Sequence, residues 1–264
     1  MIVVKIGGSK GISYEPLAED IAAIDYKIVL IHGGNVETTK ICGKLGIEPR
    51  FLTSLSGYTS RYTDRETMDV FSMVYAGKIQ TNMVALLHKY GKKAVGLSGV
   101  DAGILRAKRK DTIVFTEGGK KKVLHGDYTG KIVSVNSGFL ELLLEKGYLP
   151  VISPIALSEE NEPLNVDGDV VAAWVAQELK ANDLVILSNV PGLLKDKNDE
   201  STLIKRIDKS KLEEFAEFAK GRMKKKVLGA KEALEKGVKR VIFADARKEK
   251  PLSSALLGKG TVIE

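Results

Sequence analysis

Short apolar runs recur along the chain near residues 2–6, 27–31, 93–97, 148–152, 183–187 and 239–243. Between them lie helix-like segments near 15–23, 36–45, 65–76, 78–90, 137–145, 169–179, 210–219 and 223–236. Runs of this length with few polar interruptions read as strands buried on both faces, and the longer segments between them read as helices. Strand and helix alternate, which predicts an α/β fold: a mainly parallel central sheet covered by helices on both sides, a three-layer sandwich. No repeat period and no Pro/Ser-rich linker divides the sequence, so one unit of two lobes is expected, about 1–176 and 177–264. From Leu105 to His125 the pattern becomes that of a β-hairpin: a basic strand, then Thr112 to Thr116, a turn at Glu117-Gly118-Gly119, and Lys120 to Leu124.

Composition narrows the class. A hydrophobic content of 44% with 28% charged residues is that of a globular protein able to bury a sizeable core. No apolar run approaches the roughly 18 residues of a membrane span, and the first residues enter a strand without the residue order of a signal peptide, so a cytoplasmic protein is expected. Cys42, the single cysteine, excludes an internal disulfide framework and any cysteine-built zinc site, and reads as a small core residue. The net charge is +7, and five of those charges fall between Leu105 and His125, where Arg106, Lys108, Arg109, Lys110, Lys120, Lys121 and Lys122 face only Asp111 and Glu117. Such a run is usually a solvated face. A nucleic acid is one functional rival, although the interleaved aromatics of single-strand binders are missing, and an acidic protein partner is another.

Candidate chemistry gathers at strand ends. Two runs finish in a glycine pair: Ile2-Val3-Val4-Lys5-Ile6-Gly7-Gly8-Ser9 and Ile28-Val29-Leu30-Ile31-His32-Gly33-Gly34-Asn35. In open parallel sheets ligands bind at the carboxyl ends of strands. Bare backbone N–H groups there approach an anion closely, and the helix that follows adds its dipole. One such pair is commonly a plain turn; two, the first preceded by Lys5, point to an anionic ligand. Asn165-Val166-Asp167-Gly168-Asp169 leads into an apolar helix and brings carboxylates to its N-terminus, where capping alone would also account for them. Lys224, Lys225 and Lys226 open another helix, a poor electrostatic position for lysines that suggests an anion nearby. Arg61 stands just before a helix that Thr63 or Asp64 can cap.

On these residues, in order and over essentially the whole length, the chain resembles the amino acid kinase family, and within it the N-acetylglutamate kinase branch. The resemblance implies ATP-dependent phosphorylation of a carboxylate. It further implies that Lys5 and Lys226 contact the transferring phosphate, that Gly8 donates backbone hydrogen bonds to it, and that Asp169 holds both ammonium groups. Gly33, Gly34 and Asn35 would border the substrate carboxylate, Asn35 replacing the family's usual third glycine, with Arg61 and Asn165 orienting the substrate. ATP would lie against Gly7, Ser188, Asn189, Val190, Gly192, Leu193, Met223 and Lys226, with Mg2+ bound through its phosphates and no metal site on the protein.

Within the family the likeness is closest to kinases whose glutamate or 2-aminoadipate substrate is attached to the acidic amino-group carrier protein LysW. The stretches that carry it are Ser60 to Arg65, Gly99 to Gly103, Gly126 to Lys131 and Gly221 to Lys226. On this reading the seven cations of the basic segment bind the carrier, and the helices after Arg61 serve a homodimer or larger assembly. Free N-acetylglutamate is the alternative substrate, and a non-catalytic nucleic-acid-binding protein is the alternative of a different class. A nucleotide monophosphate kinase is disfavoured because Arg61 and Asn165 suit an amino-acid-derived carboxylate.

Overall fold

Ile2, Val4 and Ile6 pack into one core and Val3 into another on the opposite face, and Lys5 follows the alternation to share the side of Val3. That strand lies in the middle of the sheet, where neighbours on both edges and both faces leave all five residues buried. The computed structural model describes residues 1–264 except Ser56, Tyr58, Gly119, Lys220 and Gly221, and except the side chains of Glu117, Ala216, Arg222 and Lys225.

In chain order the strands are β1 (Ile2–Ile6), β2 (Ile28–His32), β3 (Phe51–Thr53), β4 (Thr59–Arg61), β5 (Ala94–Ser98), β6 (Leu105–Arg109), β7 (Thr112–Glu117), β8 (Lys120–His125), β9 (Gly130–Val135), β10 (Leu149–Ser153), β11 (Ile155–Leu157), β12 (Pro163–Asn165), β13 (Asp183–Ser188), β14 (Arg206–Ile207), β15 (Arg240–Asp245) and β16 (Thr261–Ile263). The α-helices are α1 (Glu15–Ala22), α2 (Asn35–Lys44), α3 (Arg65–Ser72), α4 (Gln80–Lys89), α5 (Ser137–Glu145), α6 (Gly168–Glu178), α7 (Leu212–Ala216), α8 (Arg222–Glu235) and α9 (Pro251–Leu256). Eight strands form the central sheet in the order β14-β16-β15-β13-β1-β2-β10-β5. All its pairings are parallel except β15 with β16. One core contains residues of α5, α6 and α8 and the other residues of α1, α4 and α9, so helices cover both faces as the run pattern predicts.

Two expectations are corrected, and short elements are added. The basic segment is not one hairpin: β7 and β8 pair alone, whereas β6 joins a four-stranded sheet of order β12-β11-β6-β9. Its Leu105 and Ala107 are fully buried, which draws β6 into the core. The helix expected to break near Gly77 is continuous from Arg65 to Lys89, with π-helical Met73–Ile79 joining α3 to α4. A glycine inside a helix costs only about 1 kcal/mol against alanine, too little to end a helix so well packed. Finally, α9 and β16 had no counterpart in the sequence reading. They are short and are held by distant partners: buried Asp20 accepts the Leu252 and Ser253 N–H groups at 2.7 and 2.8 Å, and β16 pairs with β15.

Candidate active site

The two glycine turns lie against each other at the carboxyl ends of β1 and β2. Gly7 N–H donates to Leu187 O at 3.0 Å, Gly33 N–H to Ile6 O at 2.8 Å and Val36 N–H to Gly8 O at 3.3 Å, which stitches β13, β1 and β2 together at their ends. A Cβ on Gly8 would sit 2.5 Å from Gly34 N, and one on Gly34 would sit 2.4 Å from Ile79 Cδ1. At Gly8 backbone therefore meets backbone and only glycine fits, whereas Gly34 is crowded by side chains. Tyr75 and Ile79, both from the π-helical segment, close over Gly34, and Tyr14 donates its hydroxyl to Gly33 O at 2.9 Å. No local composition announces these residues: Tyr75 and Ile79 are placed by a π-turn, which inserts an extra residue per turn and frequently marks functional sites, and Tyr14 precedes α1. His32, fully buried beneath the turn, stacks on Tyr75 with ring centroids 5.8 Å apart. Burial pushes its pKa down to about 4, so the imidazole is neutral at physiological pH.

Asp169 sits in the first turn of α6, and Asp167 takes the capping role. Asp167 Oδ1 accepts the Asp169 and Val170 N–H groups at 2.9 and 3.4 Å, so the Asp169 carboxylate is not needed as a cap. Instead its Oδ1 lies 2.6 Å from Lys5 Nζ and its Oδ2 lies 2.5 Å from Lys226 Nζ. The three side chains are only 11%, 18% and 10% exposed for Lys5, Asp169 and Lys226 respectively. Burial opposes ionisation of Asp169, but the ammonium groups of Lys226 and Lys5 outweigh it and hold the carboxyl far below the usual range. Burial pulls the Lys226 pKa down, Asp169 resists, and Lys5 adds to the depression. Lys224 points to solvent, and the Lys225 side chain lies outside the described residues. Gly168 lies against the same residues: its Cβ position is 3.6 Å from Lys5 Cε and 3.9 Å from His32 O, ordinary contact distances.

Arg61, at the end of β4, is 5% exposed beside the start of α2. Its Nη2 donates to Asn35 O at 3.2 Å and to Thr39 Oγ1 at 2.7 Å, and its guanidinium carbon stands 4.8 Å from the Phe51 ring centroid. Nε and Nη1 are buried with no partner among the described residues. Burial lowers the pKa of this guanidinium. A buried cation with unmet donors costs several kcal/mol unless an anion joins it, so the position is built to receive one. The Asn35 side chain is exposed while its carbonyl holds Arg61. Asn165, at the end of β12, donates Nδ2–H to Thr63 Oγ1 at 2.9 Å.

On the other side of Lys226, Ser188 ends β13 with Asn189 exposed and Val190 half-exposed after it. Gly192 and Leu193 turn inward. A Cβ on Gly192 would meet Thr261 Oγ1 at 2.5 Å, and Leu193 is 1% exposed with its N–H donated to Thr261 Oγ1 at 2.8 Å. These two residues and buried Ser188 anchor the loop, so Asn189 and Val190 are the part that faces outward. Met223, in the first turn of α8, packs against the core.

The basic segment divides in the same way. Arg109 is bound to Glu162 at 3.0 Å, to Asp127 O at 2.9 Å and over the Tyr128 ring at 3.8 Å, and Arg106 donates to Asn161 Oδ1 at 3.1 Å. Both arginines therefore serve the fold around β6, and the exposed lysines Lys108, Lys110, Lys120 and Lys121 carry the outward charge. Cys42 is fully buried between α2 and α3 neighbours such as Met68 and Phe71.

A parallel sheet with two glycine turns, a carboxylate bridging two lysines and an arginine awaiting an anion defines a class: an α/β protein built to bring two anions together. The chain belongs to the amino acid kinase family, whose model matches residues 1–245. It is 52% identical over 266 residues to LysW-aminoadipate kinase of Deinococcus radiodurans, covering 100% of this chain and 91% of that protein. Identity to the enzyme of the same name from Thermus thermophilus is 50% over 268 residues, with both chains covered in full. A LysW-aminoadipate/LysW-glutamate kinase of Saccharolobus islandicus is 42% identical over 267 residues, covering 100% of this chain and 99% of that one. Among solved structures, N-acetylglutamate synthase of Neisseria gonorrhoeae, complexed with coenzyme A and N-acetyl-glutamate, superposes with a TM-score of 0.80 at 24% identity. That match covers 99% of this chain and 58% of the synthase, and it speaks to the fold alone.

Proposed function

We propose that this chain uses ATP to phosphorylate the side-chain carboxylate of 2-aminoadipate or glutamate carried on LysW, yielding an acyl phosphate. The observation that carries the reading is the Asp169 bridge, which fixes two ammonium groups beside two glycine turns. A substrate carboxylate, which ordinarily titrates near pH ~4.3, is already ionised at neutral pH and needs no general base. Its approach to the γ-phosphate is opposed by roughly 4 kcal/mol per charge pair at about 4 Å, for an effective dielectric of about 20. Lys5 and Lys226 cancel that repulsion while the Gly8 and Gly34 N–H groups fix the transferring oxygens, so positioning and electrostatics supply the catalysis. One carboxylate oxygen bonds to phosphorus as the bond to the ADP oxygen breaks.

Mg2+ would shield the phosphates when bound. Asp169 has both oxygens engaged by lysines, and among the described residues no group of three or more His, Cys, Asp or Glu is placed to hold a metal. In this reading the ion would be held through the nucleotide, and Ser188, Asn189 and Val190 would border the ATP.

Arg61 and Asn165 bind the substrate in this reading. Arg61→Met is expected to raise the KM for the acceptor about 10- to 100-fold, the size of a charge-assisted hydrogen bond, with a smaller change in kcat. The same variant should melt no lower than wild type without ligand, because it removes a buried, unsatisfied cation. Steady-state kinetics and thermal melting test both halves; an unchanged KM removes Arg61 from the substrate site.

The full-length relatives named for LysW-linked substrates support a carrier-borne acceptor, and the exposed lysines of the basic segment fit an acidic carrier. Lys120→Ser with Lys121→Ser should raise the KM for carrier-linked aminoadipate or glutamate, most at low salt, and leave the KM for ATP unchanged. Hydroxylamine trapping of the acyl phosphate, comparing carrier-linked aminoadipate, carrier-linked glutamate and free N-acetylglutamate, tests the substrate directly. Turnover of free N-acetylglutamate alone overturns the carrier, and salt-dependent nucleic-acid binding without turnover overturns the kinase. A second copy of the chain would sit on the helices that follow Arg61, where Met73 is exposed.

A further inference from the structure

We propose that Asp127 and Thr63 are positioning residues that hold the Asn165 side-chain amide and the Arg61 strand in one frame with the base of the basic hairpin. The inference rests on the substrate-binding reading of Arg61 and Asn165 given above.

Asp127 lies in the loop between β8 and β9 and is fully buried. Its Oδ1 accepts the Thr63 N–H at 3.1 Å. Its Oδ2 accepts the Thr129 N–H at 3.3 Å and, at close range, the Thr129 hydroxyl. Three donors thus converge from two sides, and a carboxylate, with acceptors on both oxygens, is the side chain that meets them all; an asparagine would turn an N–H toward one of them. Hydrogen bonds rather than an ion pair hold the group among the described residues. Burial accordingly raises its pKa, although the Thr129 and Thr63 bonds oppose the rise. Keeping an unpaired carboxylate buried is costly, more than turn formation alone requires.

The bonds run onward to the candidate substrate residues. Tyr128 N–H donates to Thr63 O at 2.7 Å, and Asn165 N–H donates to Tyr128 O at 2.8 Å, so residues 63, 128 and 165 lie side by side. The Thr63 hydroxyl then accepts from Asn165 Nδ2 at 2.9 Å, fixing which way that amide faces. Arg61 is two residues upstream on the same extended segment. The hairpin joins the same frame, since Tyr62 donates its hydroxyl to His125 O at 2.9 Å, and β6 joins it as Arg109 donates to Asp127 O at 2.9 Å. A carrier resting on the hairpin and the carboxylate it delivers would therefore meet surfaces of fixed separation.

Thr63→Val removes the hydroxyl and keeps the shape, so it is the informative variant where Asp127→Asn fails to fold. It should raise the KM for carrier-linked aminoadipate or glutamate about 5- to 10-fold, the size of one neutral hydrogen bond, leaving the KM for ATP and the melting temperature near wild type. Thr63→Ser should restore the wild-type KM. In an Asn165→Ala background Thr63→Val should cost much less than in wild type, because only the 3.4 Å bond from the Thr63 hydroxyl to Arg61 O is left to lose. A wild-type KM in Thr63→Val, equal losses in the Val and Ser variants, or additive losses with Asn165→Ala would each overturn the proposal. If the wild-type enzyme phosphorylates only free N-acetylglutamate, the carrier reading fails separately, and the same cycle on that substrate still decides the role of Thr63.

Discussion

Lys5→Ala and Lys226→Ala are each expected to lower kcat about 100- to 1000-fold, the range seen when one preorganised donor is removed from a transition-state site. Acceptor and ATP KM values should change far less. Both ammonium groups sit on one carboxylate with their charge preset, so each matters most as negative charge spreads over the transferring group. Neither substitution should unfold the protein, since each leaves Asp169 one lysine partner. Lys224→Ala is the control: this neighbour is exposed and should turn over normally. Full activity in both alanine variants would sink the kinase reading, whereas a large rise in KM with kcat intact would make the lysines binding groups.

How much of this was legible in the sequence depends on the range of the interactions. The strands of the central sheet could be read because a strand buried on both faces is written as a local apolar run, and β1, β2, β10 and β13 all are. The Gly8 and Gly33 turns could be read because two glycine pairs end two strands, the first after Lys5, and the structure adds the reason: the two turns touch. Asp169 was ambiguous, being a plausible helix cap, until Asp167 was found capping in its place. What stayed hidden depends on distant partners. Arg106 and Arg109 look like surface charge in a lysine-rich run, and only Asn161, Glu162 and Tyr128, some 20 to 55 positions away, show that they belong to the fold. The π-helical segment that brings Tyr75 and Ile79 onto Gly34 is likewise set by packing, not by composition.

Asp169→Asn should preserve the fold and reduce kcat by about 100-fold or more. The amide has the carboxylate's shape, yet its Oδ1 can accept from one ammonium group while its Nδ2 turns a donor toward the other. Two lysines now face each other without the charge between them. Burial already lowers the Lys226 pKa, and losing Asp169 lowers it further, so the alkaline limb of the kcat profile should move to lower pH than in wild type. Stability carries the opposite sign of pH dependence. The native Asp169 carboxyl titrates far below its unfolded value of about 3.9. Its contribution is therefore complete above that value and is lost as pH falls through the native one. Wild type should melt above Asp169→Asn at neutral pH, with the gap closing in acid below about pH 4. Asparagine turning over at the wild-type rate, with an unmoved alkaline limb, would mean that the bridge only ties α6 to β1 and α8 and that the lysines find their places without it.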